Sequence, residues 1–451
     1  MTDIVLIYPF FRPEKDNSSF RFPTLGLGYI AAYLHKNGIS VQLIDCTFQT
    51  PNDVIKQVNT LKPKVIGIQC ILGSEHHAMD FARIFKNPDN ILVAGGPYPT
   101  IDPGRFLKAF DIAVIGEGEE TTLEIIQKVR KNEDFKSITG IAYIDNENGK
   151  LSHTEPRKCN HDLDSLNPMR SLYPNALYQK HNQDQFGYSM TSLIATRGCP
   201  FKCDYCSRAV SGNLYRERSK ESVVNEMEEI LSYGYDRIWI ADDVFTLRKK
   251  YVKDICQEII DRRLKCEWEC LSRVDTLDYE TAQMMEAAGC RRIFFGIESG
   301  NNDILLKMKK SVTVEQSILA VNAAKKANLN TGGFFILGYP GETDETILQT
   351  LKLSSSLPLD YISFAFPYPF PGTGLYEKVK DKLLPEYSNY SLNGKAKHRL
   401  VFESDFSEKK LKFALLKGTI QFRLKRRFGR RFSFIYKAFE SMTNWILRKM
   451  K

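Results

Sequence analysis

The chain has 451 residues, 43% hydrophobic and 26% charged, with ten cysteines and a formal net charge of +9. That is the balance of an ordinary soluble protein with room for two or three real cores. No apolar run nears the ~18 residues of a spanning helix, the start lacks the basic and apolar regions of a signal peptide, and the cysteines fit a reducing cytoplasm better than a small disulfide framework.

Residues 4–8, 41–45, 65–68, 91–94 and 112–115 are short apolar runs that read as buried parallel strands. Helical periodicity over 25–37, 52–61 and 76–85, and from near Glu120, alternates with them. Such alternation makes an α/β, doubly wound, Rossmann-like sheet over residues 1–130, with its ligand crevice at the carboxyl ends of the strands. Those ends are rich in glycine. Thr24-Leu25-Gly26-Leu27-Gly28 opens the first helix, Gly95-Gly96-Pro97 follows the fourth strand and Gly116-Glu117-Gly118 the fifth. One such glycine is mostly a plain turn, whereas several together let backbone approach a large flat ligand without Cβ collisions. The loop at 8–13 holds no histidine. His76 and His77 lie near another strand end, where they either approach that ligand or form a solvated helix start.

Residues 131–189 read as a linker, with a small hairpin at 140–149 and Cys159 as an isolated thiol. Strands at 193–196, 237–241, 267–272, 292–297, 331–337 and 361–366 then alternate with helices such as 221–233 and 314–327. Six such units over 190–375 make a partial (βα)6 barrel with its site at the strand carboxyl ends. Cys199, Cys203 and Cys206 follow the first of these strands. Three thiolates at this spacing can bind three irons of a [4Fe–4S] cluster and leave the fourth open. Structural zinc wants four protein ligands, and no fourth Cys or His is near, His181 being far upstream.

The cysteine spacing, with aromatic Tyr205 directly before the third cysteine, resembles the radical S-adenosylmethionine (radical SAM) family. With the glycine-rich sheet ahead of it, most of the chain resembles the cobalamin-dependent class of that family. The resemblance implies three cofactors: a [4Fe–4S] cluster on Cys199, Cys203 and Cys206, S-adenosylmethionine and cobalamin. It places S-adenosylmethionine against Tyr205, Ala241, Asp242, Asp243, Ser272, Arg273, Glu298 and Leu337. Within that set, Asp242 and Asp243 serve the amino group, Arg273 a carboxylate or the ribose side, and Glu298 the ribose hydroxyls. It places cobalamin against Thr24, Leu25, Gly26, Gly28, Cys70, Gly95, Gly96, Pro97, Gly116, Glu117 and Gly118. The cobalt-ligating Asp-x-His-x-x-Gly of several cobalamin proteins is absent, so either the domain holds cobalamin without a histidine axial ligand, as members of this class do, or the site is empty.

The activity implied is reductive cleavage of S-adenosylmethionine to a 5′-deoxyadenosyl radical and methylation of an unactivated carbon. The substrate is a small molecule, lipid or peptide, and the electron donor a flavodoxin or ferredoxin. The alternative is a cyclase or oxidase with the same cofactors and no methyl transfer. A tRNA methylthiotransferase needs a second cluster on three N-terminal cysteines, whereas only Cys46 and Cys70 sit at strand ends there. A non-catalytic cobalamin sensor would have no use for the triad.

Residues 376–451 form a basic helical region, read as helix over 407–450 with a break near Gly429. Phe413, Leu415, Leu416, Ile420, Phe422 and Leu424, continued by Phe432, Phe434, Ile435, Phe439, Trp445, Ile446 and Leu447, supply an apolar stripe. Such a stripe either packs on the barrel with its basic residues in water or lies on an anionic membrane surface. Nucleic acid is disfavoured, because no recognised binding module accompanies the charge.

Overall fold

The computed structural model describes residues 2–12, 21–165, 167–388, 399–428 and 433–450. Pro13, Gly429 and Phe432, and the side chains of Phe434 and Ile435, lie outside that description.

The N-terminal sheet contains β1 (Ile4–Tyr8), β2 (Val41–Asp45), β3 (Val65–Gln69), β4 (Ile91–Gly95), β5 (Ile112–Val114), β6 (Ile141–Ile144) and β7 (Leu151–His153). Its order is β2-β1-β3-β4-β5-β6-β7. The first five strands are parallel, and β6 and β7 join antiparallel, so the hairpin read as linker extends this sheet. Val5, Ile7, Ile66 and Ile68 fill one core, and Ile4, Leu6, Val65 and Val93 fill the other. Burial on both faces is why these strands read as unbroken apolar runs.

Helix Asn175–Phe186 has no apolar stripe, so it lies hidden within the stretch read as linker. Its buried positions are Tyr178, His181 and Asn182. The Tyr178 hydroxyl donates to Asp45 at 2.7 Å, and the Asn182 amide donates to the Met190 carbonyl at 3.1 Å. These polar contacts, with the Tyr178 ring packed edge-on to Phe48, tie it between the sheet and the barrel.

The barrel strands are β8 (Met190–Leu193), β11 (Arg237–Ile240), β12 (Glu267–Ser272), β13 (Cys290–Glu298), β14 (Asn330–Ile336) and β15 (Tyr361–Ala365). They pair parallel in the order β15-β14-β13-β12-β11-β8. Between β8 and β11, β9 (Thr196–Arg197) and β10 (Arg216–Glu217) form a two-stranded antiparallel ladder. The first barrel strand ends earlier than the predicted 193–196. Asp242 takes the Ala195 N–H at 2.7 Å and the Thr196 hydroxyl at 2.8 Å, which lifts those residues out of the barrel ladder.

Helices Glu408–Phe428 and Ser433–Lys449 form the tail. The buried face of the first is Leu411, Ala414, Lys417, Gly418 and Gln421, while Leu416 is exposed. The predicted stripe holds only in part: Phe413, Leu415 and Phe422 pack half-buried against the barrel core and Leu447 is buried. A Cβ at Gly418 would lie 2.7 Å from Leu351 and 2.8 Å from Phe364, so small residues bring this helix close to the barrel. Arg423, Arg426 and Arg427 face water as expected, and Lys417 does not. Lys417 is buried against Gln421 at 2.7 Å, and desolvation pushes its amine down to about 8. No helix among the described residues is long and apolar enough to cross a membrane.

Candidate functional site

The cysteine loop is held from four sides. The N–H of Cys199 donates to the Gly212 carbonyl at 3.2 Å. Gly198 has φ +87°, and a Cβ there would collide with the Leu214 carbonyl, so this turn requires glycine. Asp204 is buried and accepts from the Tyr339 hydroxyl at 2.5 Å and the Lys378 ammonium at 2.5 Å. Its backbone exchanges hydrogen bonds with Met308 and Leu375. Gly374, at the start of helix Gly374–Val379, gives it room, since a Cβ there would lie 2.8 Å from that of Asp204. No motif or periodicity in the sequence points to Asp204.

Cys199 and Cys203 are buried, Cys206 is exposed at the rim, and all three are free thiols. Burial pushes the Cys199 thiol up, so it gives up a proton when it binds iron. Among the described residues no three His, Cys, Asp or Glu side chains converge on a single metal ion. A cubane would place each cysteine on its own iron, so three thiols on one loop suit a cluster as a donor set, whereas tetrahedral zinc would need four ligands on one point.

Around the loop the structure gathers Tyr205, Arg273 and Glu298, and adds Lys310. The Lys310 ammonium donates to Glu298 at 3.0 Å and to the Tyr205 hydroxyl at 3.2 Å. Glu298 sits at φ +66°, and Lys309 and Ser311 on either side of Lys310 are also left-handed. Such strain clusters at ligand-handling sites. No periodicity or motif in the sequence pointed to Lys310.

Two expected roles are already taken up within the protein. Asp242 is fully buried and spent on Ala195 and Thr196. Arg273, expected to clamp a carboxylate of S-adenosylmethionine, grips Asp275 instead at 2.8 and 3.0 Å. Ser272 is turned to Thr246 and the Arg273 carbonyl, and the Leu337 side chain lies in the core. Ala241 and Asp243 face open space.

Burial pushes Asp242 up to about 7. An unfolded carboxyl titrates near 3.9. Between those values the folded chain holds a proton that the unfolded chain has lost. Stability is then full below ~4 and falls as pH rises through 7, at about 1.4 kcal/mol per pH unit. Asp242→Asn cannot ionise and keeps an oxygen for the Ala195 N–H. Denaturation midpoints between pH 5 and 8 should fall with pH in the parent and fall less in the variant; equal slopes would contradict this.

The open space is a crevice of about 1170 Å³, including its mouth, shared by both domains. Its walls are Gly26, Gly95, Gly96, Pro97 and Gly116–Gly118 from the sheet, and Ile194, Thr196, Val210, Ser211, Ala241 and Asp243 from the barrel. A Cβ on Gly95 would meet nothing within 4 Å. Glycines at successive strand ends thus leave room for a large flat group, and the residues fit a corrin. Below them Leu6, Ile30, Gly67 and Val114 form an apolar slot.

The remaining expected cobalamin contacts lie off the crevice. The Thr24 hydroxyl donates to Gln69 at 2.6 Å, and Leu25 is core. Gly28 faces the linker, where a Cβ would lie 3.1 Å from Pro168. Cys70 is buried, with its thiol on the Ile68 carbonyl at 3.5 Å. His77 packs edge-on to Phe11 and does not line the crevice.

One wall is locked by charge. Arg197 pairs with Glu117 at 3.1 Å and Glu119 at 2.8 Å, and Arg216 pairs with Glu117 at 2.7 Å. These buried pairs join the fifth-strand loop to the two-stranded ladder beside the cysteines. The acids were visible in sequence, but their partners lie about 80 or more residues away.

Residues 193–354 match the radical SAM superfamily, and residues 15–126 match the B12 binding domain. An uncharacterized methyltransferase of Pyrococcus horikoshii is 36% identical over 365 residues, covering 79% of this chain and 78% of that protein. The anaerobic magnesium-protoporphyrin IX monomethyl ester cyclase of Rubrivivax gelatinosus is 27% identical over 394 residues, covering 84% and 70%. Among solved structures, the radical S-adenosylmethionine methyltransferase TsrM of Kitasatospora setae, with cobalamin and a [4Fe–4S] cluster bound, superposes with a TM-score of 0.72. It is 18% identical and covers 85% of this chain and 76% of its own.

Proposed function

Since the chain belongs to the cobalamin-dependent radical S-adenosylmethionine enzymes, we propose that it methylates an unactivated carbon of a small-molecule substrate. One observation carries the reading: a single crevice is walled both by the sheet's glycine loops and by the barrel's Ala241 and Asp243. When bound, the cluster supplies an electron to the sulfonium of S-adenosylmethionine and the corrin carries a methyl group.

The chain's own part is positioning and shielding. Cys199, Cys203 and Cys206 would hold the cluster. Asp243 accepts from the amino group of S-adenosylmethionine, and Glu298, held in place by Lys310, accepts from its ribose. Gly95, Gly96 and Gly116 let the corrin lie against backbone, while Leu6, Ile30 and Val114 keep water from beneath it. The reductant is a small redox protein such as a flavodoxin or ferredoxin. A lipid or peptide remains within the substrate class. The ten free cysteines support a cytoplasmic setting.

A second reading, ring closure or oxidation with the same cofactors, is favoured by the 27% identity to a cyclase. The reconstituted protein, given S-adenosylmethionine and a strong reductant, separates the two. Methyl transfer should release S-adenosylhomocysteine together with 5′-deoxyadenosine. 5′-Deoxyadenosine without S-adenosylhomocysteine would reject methylation and favour the second reading.

A further inference from the structure

Arg273 is 3% exposed and has little freedom left. Its Nε and Nη2 fork onto the Asp275 carboxylate at 2.8 and 3.0 Å. Nη2 also donates to the Lys310 carbonyl at 2.8 Å, and the guanidinium lies 3.5 Å from the centroid of the Phe201 ring. The remaining nitrogen, Nη1, donates to the sulfur of Cys203 at 3.7 Å. Phe201 and Cys203 both belong to the cysteine loop. The cation is therefore fixed against one cluster ligand by a stack and three further hydrogen bonds.

We propose that Arg273 is a positioning residue that sets the reduction potential of the cluster through Cys203. The proposal rests on the reading of Cys199, Cys203 and Cys206 as cluster ligands. Reduction adds one negative charge to the cluster and its sulfurs. A donor and a positive charge fixed on one sulfur stabilise the reduced form more than the oxidised form, which raises the potential. The Asp275 carboxylate opposes this by partly neutralising the same cation. Removing the cation and removing its counter-charge must then act in opposite directions. A role confined to loop structure would not reverse sign.

The test is a redox titration of the reconstituted protein, followed by the spectrum of the reduced cluster, without S-adenosylmethionine, so that substrate binding cannot contribute. Parent, Arg273→Gln, Arg273→Lys and Asp275→Asn are compared at equal iron content. Arg273→Gln should move the midpoint negative, with at least a tenfold fall in the ratio of reduced to oxidised cluster at fixed potential, about 59 mV for one electron. Arg273→Lys should fall between it and the parent, and Asp275→Asn should move the midpoint positive. An unchanged midpoint in Arg273→Gln, or shifts of one sign in both Arg273→Gln and Asp275→Asn, would overturn the proposal. If Arg273→Gln does not fold, the sign of the Asp275→Asn shift decides alone: positive supports it, zero or negative overturns it. A parent that takes up no cluster at all fails the ligand reading instead, and the iron assay shows that separately.

Discussion

Cys203→Ala is expected to leave the chain folded, take up almost no iron and form no detectable 5′-deoxyadenosine, a loss of at least about 10³-fold or ~4 kcal/mol in barrier terms. Each thiolate holds its own iron, so removing one undoes the cubane's attachment at that corner. Cys203 is the most constrained of the three, being buried and receiving Arg273 on its sulfur. Little packing depends on the thiol, because Asp204 pins the loop independently through Tyr339 and Lys378. Cys70→Ser is the matched control. Cys70 bonds within its own domain, and its replacement should leave about four irons per chain in place. Iron and sulfide analysis after anaerobic reconstitution measures both. A second cluster on the N-terminal cysteines would appear as iron lost from Cys70→Ser.

Gly95→Leu should abolish corrin binding while sparing the cluster. Gly95 ends β4 outside the left-handed region, and a Cβ there meets no atom within 4 Å. The fold therefore tolerates a side chain, and the crevice does not. A leucine would stand where the corrin must lie against backbone, costing at least about 100-fold in affinity, ~3 kcal/mol. Absorbance titration of the anaerobic protein with hydroxocobalamin measures the affinity, and thermal denaturation confirms the fold. Undiminished binding would place the corrin elsewhere.

The parts legible in the sequence were those where one local rule decides. Apolar runs gave the strands: 267–272 coincides with β12, and most of the others match within one or two residues. Helix Leu25–Lys36 was legible from its period and from Gly38, which has φ +72°. The glycine loops announced the crevice, because a missing Cβ is a property of the residue itself. What stayed hidden depended on partners distant in the chain. Asp242 looks like a ligand until Ala195 and Thr196 claim it. Arg273 is the short-range exception: it looks free until its own loop folds Asp275, two residues on, against it. The tail helix turns a different face inward from its largest apolar residues, since close approach of Gly418 to Leu351 and Phe364 sets which side meets the barrel. Helix Asn175–Phe186 escaped because polar side chains hold it.

Anomalous diffraction at the cobalt absorption edge, from crystals of the reconstituted protein, tests the shared crevice most directly. A single cobalt peak should fall between the Gly95–Gly96 and Gly116–Gly118 loops on one side and Ala241–Asp243 on the other, with the iron peak beside Cys203. Cobalt outside that crevice, or iron-loaded protein that takes up no cobalt, would contradict the account.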